Sequence, residues 1–114
     1  MRSYRSTNRI EVKMKMHEKM YVLLGRYTQK GIENIKDSPD RLEAARKAAK
    51  SKGGEIKEFY YTMGQYDFVA ICQAPNDEAM TAVLLMIGSK GAVKTETLLA
   101  IPADKGVEII KGLP

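Results

Sequence analysis

The sequence predicts an α+β fold whose elements follow the order β-α-β-β-α-β. Three observations carry the prediction. Four short runs rich in Tyr, Val, Ile, Leu and Thr are bounded by Gly, Pro and polar turns. Two segments with helical apolar spacing separate the first run from the second and the third from the fourth. A Gly-X pair, Gly64-Gln65, joins the second and third runs directly, as a hairpin does.

The first strand is predicted over residues 19–28 (KMYVLLGRYT), where consecutive apolar residues suit a strand covered on both faces. Residues 29–36 predict a short helical piece with Ile32 and Ile35 on one side. Asp37-Ser38-Pro39-Asp40 then restarts a helix. Ser38 is expected to accept from free N–H groups, Pro39 suits the first helical position, and Asp40 favours the positive end of the dipole. Leu42, Ala45 and Ala49 form its apolar stripe, and Gly53-Gly54 stops it. The second strand is expected over 55–63, and the third over 66–74, ended by Pro75. Asn76 is a predicted N-cap, with Asp77 and Glu78 in the first turn of a helix that is apolar almost all round. The fourth strand is expected over 93–101. A last short helix over 102–111 would use Val107 and Ile110.

With right-handed crossovers this order gives a ferredoxin-like domain: a four-stranded antiparallel sheet with both helices on one face. The middle strands are apolar on both parities. Phe59, Tyr61 and Met63 alternate with Ile56 and Tyr60, and Phe68, Ala70 and Cys72 alternate with Val69 and Ile71. One helical layer covers one face only, so a homodimer packed sheet to sheet, a dimeric α/β barrel, is expected.

Composition narrows the function. The chain carries +5, but residues 1–19 hold six bases and two acids, so residues 20–114 are nearly neutral. Residues 1–19 read as a flexible basic extension and residues 20–114 as one domain. The N-terminus has no apolar run of a signal peptide, and no stretch is long enough for a membrane span. Cys72 is the only cysteine and His17 the only histidine. A disulfide framework, a cysteine zinc site and a histidine-based triad are therefore excluded. No metal and no cofactor is expected. Neither nucleic acid nor membrane is expected as a partner. Gly64–Ile71 matches the third-strand motif of RNA-recognition domains only at Tyr66, Phe68 and Val69, with no basic groove beside it.

Residues 20–28 (MYVLLGRYT), the 31–35 stretch GIENI, the Gly64-Gln65-Tyr66-Asp67 turn and the 74–77 turn APND together resemble the GYD-domain family. The resemblance spans residues 20–111 and implies a dimeric α/β barrel of ferredoxin-like subunits. Here Gln65 stands between Gly64 and Tyr66, and residues 1–19 have no counterpart in the family.

Arg26, Tyr27, Tyr60, Tyr61, Asp67 and Glu96 are expected to converge in a cleft between sheet and helices, with Tyr66 beside them as a further ligand contact. Asp67 is expected to be a hydrogen-bonded carboxylate whose main task is structural. The expected function is a small cytoplasmic small-molecule-binding or accessory module without catalysis. The alternative is a cofactor-independent monooxygenase or isomerase acting on an aromatic or quinone-like substrate, with Asp, Glu, Tyr or Arg as its working groups.

Overall fold

A computed structural model describes residues 18–114. The expected basic extension, apart from its last two residues, lies outside the described residues. Strands β1 (Lys19–Tyr27), β2 (Glu55–Tyr61), β3 (Phe68–Ala74) and β4 (Val93–Ala100) form one sheet in the order β2-β3-β1-β4. All three neighbouring pairs are antiparallel. The helices are α1 (Gln29–Glu33), α2 (Ser38–Ser51), α3 (Asp77–Gly88) and α4 (Ala103–Lys111), with a 3₁₀ turn at Ile35–Asp37. This is the expected ferredoxin-like arrangement. No helix among the described residues is long and apolar enough to cross a membrane.

The core is one cluster between the sheet and the pair α2 and α3. Tyr21, Leu23, Phe68, Ala70, Cys72 and Ala74 meet Ala49, Met80 and Val83. Asn76 caps α3 as expected, its Oδ1 accepting from Ala79 N at 2.8 Å. Ser38 does not cap α2. Asp37 occupies the cap without a side-chain bond, and the buried Ser38 hydroxyl turns towards tyrosines instead. Thr28 caps α1, accepting from Gly31 N at 3.1 Å and donating to Gly91 O at 2.6 Å.

Two local features differ from the expectation. A bulge between Ile56 and Glu58 shifts the register of β2. Ile56 therefore opposes Cys72 and is buried on the helix face together with Phe59, instead of joining Tyr60 on the other face. The β2–β3 connection is also longer than a two-residue turn. Thr62 N donates to Asp67 O at 2.9 Å, so residues 63–66 form the loop, and Gly64 takes φ +106°. Met63 ends up on the surface and β3 begins at Phe68, not at Tyr66.

Asp67 anchors this loop. Its N–H donates to Gly25 O at 2.8 Å, and its carboxylate accepts from Tyr27 N at 2.9 Å. The side chain supplies the acceptor that β3 would otherwise offer as a backbone carbonyl. Asp67→Ala leaves the Tyr27 N–H unpaired and is expected to cost about 1–3 kcal/mol. Asp67→Asn keeps an acceptor oxygen and should cost less, as denaturant melts of the two variants will report.

Tyr21 donates to Asp77 Oδ1, and Lys19 Nζ lies 3.1 Å from Asp77 Oδ2. Burial, and then the Asp77 carboxylate, push the Tyr21 phenol up to about 12 from 10.0. The folded state thus holds this proton after the unfolded chain has lost it. The stabilisation is complete below pH 10 and is lost as pH rises towards 12. The stability difference between the wild type and Tyr21→Phe should shrink across that window in parallel denaturant titrations.

Candidate functional site

Strand parity divides the expected site residues between two faces. In the cross-strand row Tyr60–Val69–Leu24–Glu96, every side chain lies on the face away from the helices. Arg26 shares that face, opposite Lys94. At one end of it, Arg26, Tyr66 and Glu96 come together. Arg26 Nε donates to Gln65 O at 2.9 Å and Nη1 lies 3.5 Å from Glu96 Oε1. Tyr66 Oη donates to Glu96 Oε2 at 3.0 Å, and the Arg26 guanidinium sits 4.5 Å from the centre of the Tyr66 ring. Tyr60 is on the same face but at the opposite edge of the sheet from Glu96, with two strands between, and so stands apart from this trio. Between them the open face is apolar, with Val22, Leu24, Val69, Ile71 and Leu98 in adjacent rows.

Tyr27 and Tyr61 lie on the helix face. Their hydroxyls meet at Ser38: Tyr27 Oη is 3.3 Å and Tyr61 Oη 2.9 Å from Ser38 Oγ. Asp67 is spent on the backbone between the two groups. The expected single cleft is therefore two sites, because consecutive residues of a strand point to opposite faces.

On the helix face, α2 and the C-terminal end of α3 diverge over the sheet and leave a cleft of about 990 Å³. Leu23, Phe59, Phe68 and Ala70 form its floor, and Leu42, Ala45, Met86 and Ile87 its walls. The floor is aromatic by construction. Phe68 stacks on Phe59 at 5.2 Å and leans on Tyr27 at 5.7 Å. Its ring lies across Gly25, where a Cβ would come within 2.0 Å of Phe68 Cζ. Ser38 and Tyr27 supply hydroxyls to the lining, and Lys30, Arg41, Lys47 and Lys90 stand around it. The Ser38 hydroxyl bridge and this basic rim were not legible from pattern. The sequence marks Ser38 as a cap, and no spacing in it joins Lys30, Arg41, Lys47 and Lys90.

Titration behaviour is conservative. Burial pushes the Cys72 thiol up to about 11. The Glu96 hydrogen bond raises Tyr66, and the neighbouring Glu58 charge raises Tyr60. Each shift moves a phenol or thiol further from neutrality, away from the range a general base or nucleophile needs. No group of three His, Cys, Asp or Glu side chains among the described residues could hold a metal ion.

Comparison with known proteins follows the fold. A protein from Thermus thermophilus, the glutamine synthetase and cystathionine beta-lyase binding protein, is 31% identical over 83 residues, covering 72% of this chain and 87% of that protein. Among solved structures, the feast or famine regulatory protein from M. tuberculosis, in complex with L-methionine, superposes with TM-score 0.58 at 15% identity. The match covers 81% of this chain and 54% of that one. E. coli AsnC gives 0.51 at 21% identity, over 79% of this chain and 54% of that one. The chain spans about half the length of these two regulators, and the likeness is one of fold. The GYD domain model matches residues 21–110, which include the paired strands, the Gly64–Asp67 loop and the cleft. With that match and the Thermus relative together, the chain belongs to the GYD-domain family.

Proposed function

We propose that this chain is a non-catalytic accessory module of the cytoplasm that works as a homodimer and binds a small molecule in the cleft between α2, α3 and the sheet. The observation that carries the reading is the cleft itself. It has an apolar, aromatic floor with a few hydroxyl and charged groups at its border, in the volume range of small-molecule sites. The upward shifts of Tyr60, Tyr66 and Cys72 support binding without chemistry. The Thermus relative is named for binding two enzymes, which fits a module whose output is a protein contact governed by a ligand.

The homodimer rests on the open sheet face. Leu98 is 51% and Tyr60 53% exposed there, beside Val22, Leu24, Val69 and Ile71. The last helix, α4, adds to the uncovered apolar surface. It forms where the sequence predicts, but Val107 and Ile110 remain 47% and 65% exposed instead of docking on the body. A second copy packed face to face would cover the sheet. The Arg26–Glu96–Tyr66 trio at the end of that face would set register more than affinity, because exposed ion pairs contribute little.

Light scattering on the eluting protein is expected to give twice 12.8 kDa, and Leu24→Glu with Val69→Glu is expected to give the monomer. A wild-type monomer at micromolar concentration overturns the dimer. For the ligand reading, a small-molecule screen followed by NMR should shift Phe68, Ala70 and Ile87 resonances. Oxygen uptake with a quinol panel should stay at the buffer rate. Turnover that disappears in Ser38→Ala would replace this reading with the oxygenase one.

A further inference from the structure

The border of the cleft carries a charge pattern that selects among ligands. Lys30, Arg41, Lys47 and Lys90 surround it, against Asp37 and Asp40. None of the four cations has a carboxylate within salt-bridge distance among the described residues. The ion pairs there are Lys19–Asp77, Arg26–Glu96 and Lys57–Glu55, all elsewhere. Two of the four, Lys30 and Arg41, are held in place by backbone carbonyls rather than by acids. Lys30 Nζ donates to Lys90 O at 3.1 Å, which brings the two lysine segments together. Arg41 donates to Asn34 O at 3.0 Å and to Gly31 O at 3.3 Å. Carbonyls fix the positions of Lys30 and Arg41 without a carboxylate at salt-bridge distance.

The hydroxyl bridge adds a donor. Tyr27, Ser38 and Tyr61 have three O–H hydrogens and make two bonds among themselves. One O–H is left over: in two of the three arrangements it belongs to Ser38 or Tyr27, which line the cleft, and in the third to Tyr61, which does not. Ser38 and Tyr27 line the cleft at the junction of α1 and α2, on the side where Lys30 and Arg41 stand. A basic rim, the Tyr27 and Ser38 hydroxyls and an aromatic floor together describe a complementary molecule.

We propose that the cleft takes an amphipathic organic acid: an aromatic or aliphatic body seated on Phe59, Phe68 and Leu23, and a carboxylate or similar anionic head at the Lys30, Lys90 and Arg41 border. The proposal rests on the cleft being the ligand site and names the chemical class that the cleft prefers. Cationic amines of the same shape would meet four like charges against the two carboxylates of Asp37 and Asp40, a net repulsion. Neutral analogues would fill the floor but leave the rim unpaired.

A matched series tests the class: 4-phenylbutanoate, 4-phenylbutanamide and 4-phenylbutylamine, titrated at low salt with NMR to locate each and calorimetry to measure it. The carboxylate is expected to bind about tenfold tighter than the amide, the gain that two or three exposed charge contacts supply, and the amine weakest. Lys30→Gln with Lys90→Gln changes two exposed side chains of the three that hold the head. It should bring the carboxylate down to the amide's affinity and leave the amide unchanged, which also shows that the variant is folded. Raised salt should erase the carboxylate's advantage. Equal binding of carboxylate and amide in the cleft, or a variant that binds the carboxylate as the wild type does, overturns the acid proposal and leaves the cleft as the ligand site. If no member shifts the Phe68 and Ala70 resonances, or if shifts fall only on Val22 and Leu98 of the open face, both the acid and the cleft reading fail.

Discussion

The hydrogen bond from Tyr27 N to the Asp67 carboxylate determines where the central strand pair ends, and both candidate sites depend on that end point. The β1–β3 ladder runs to Gly25 opposite Phe68. Beyond it Asp67 bridges to Gly25 O with its own N–H and to Tyr27 N with its side chain, straddling Arg26. With the backbone held there, Arg26 is directed to the open face and can reach Gln65 O and Glu96. Tyr27 is directed to the helix face, where its hydroxyl finds Ser38 and its ring finds Phe68. One carboxylate and the backbone groups it meets thus position side chains on both faces.

Small residues on either side of this anchor serve the cleft. Gly25 leaves room for the Phe68 ring against β1, so a strand position becomes part of the floor of the cleft. At Gly31 a Cβ would come within 1.9 Å of Ala92 O, so the glycine allows α1 to rest against the entry to β4. That contact is reinforced by the bond from Thr28 N to Ala92 O at 3.0 Å. These are packing requirements. They give a physical reason for Gly25 and Gly31, two of the residues that carry the GYD resemblance.

The two faces of the sheet then divide the labour. The helix face is closed by Ala49, Met80 and Val83 near Tyr21, Cys72 and Ala74, and left open over Phe59 and Phe68, at the other end of the strands. The opposite face is uncovered and apolar in the middle, with Arg26, Lys94, Glu58 and Glu96 towards its margins. A surface with an apolar centre and a charged border is the ordinary anatomy of a protein interface. A concave surface with an aromatic floor and a polar rim is that of a ligand site. One sheet can carry both because alternate residues of the same strands serve them.

The sequence by itself determined the element order, the antiparallel ferredoxin-like sheet and the Asn76 cap, because these follow from local periodicity, turn chemistry and the handedness of crossovers. It also marked Asp67 as a hydrogen-bonded structural carboxylate, since a charge at the edge of an apolar strand must find a partner. Tertiary structure decided the rest. The bulge at Ile56–Glu58 moved a side chain across the sheet, an irregularity that alternation cannot reveal. The expected convergence of Arg26, Tyr27, Tyr60, Tyr61, Asp67 and Glu96 became two sites, because their faces depend on strand end points set by the Asp67 anchor. The bridge from Tyr27 through Ser38 to Tyr61, and the ring of cations around the cleft, join residues far apart in the chain. The packing of the helices on the sheet brings them together.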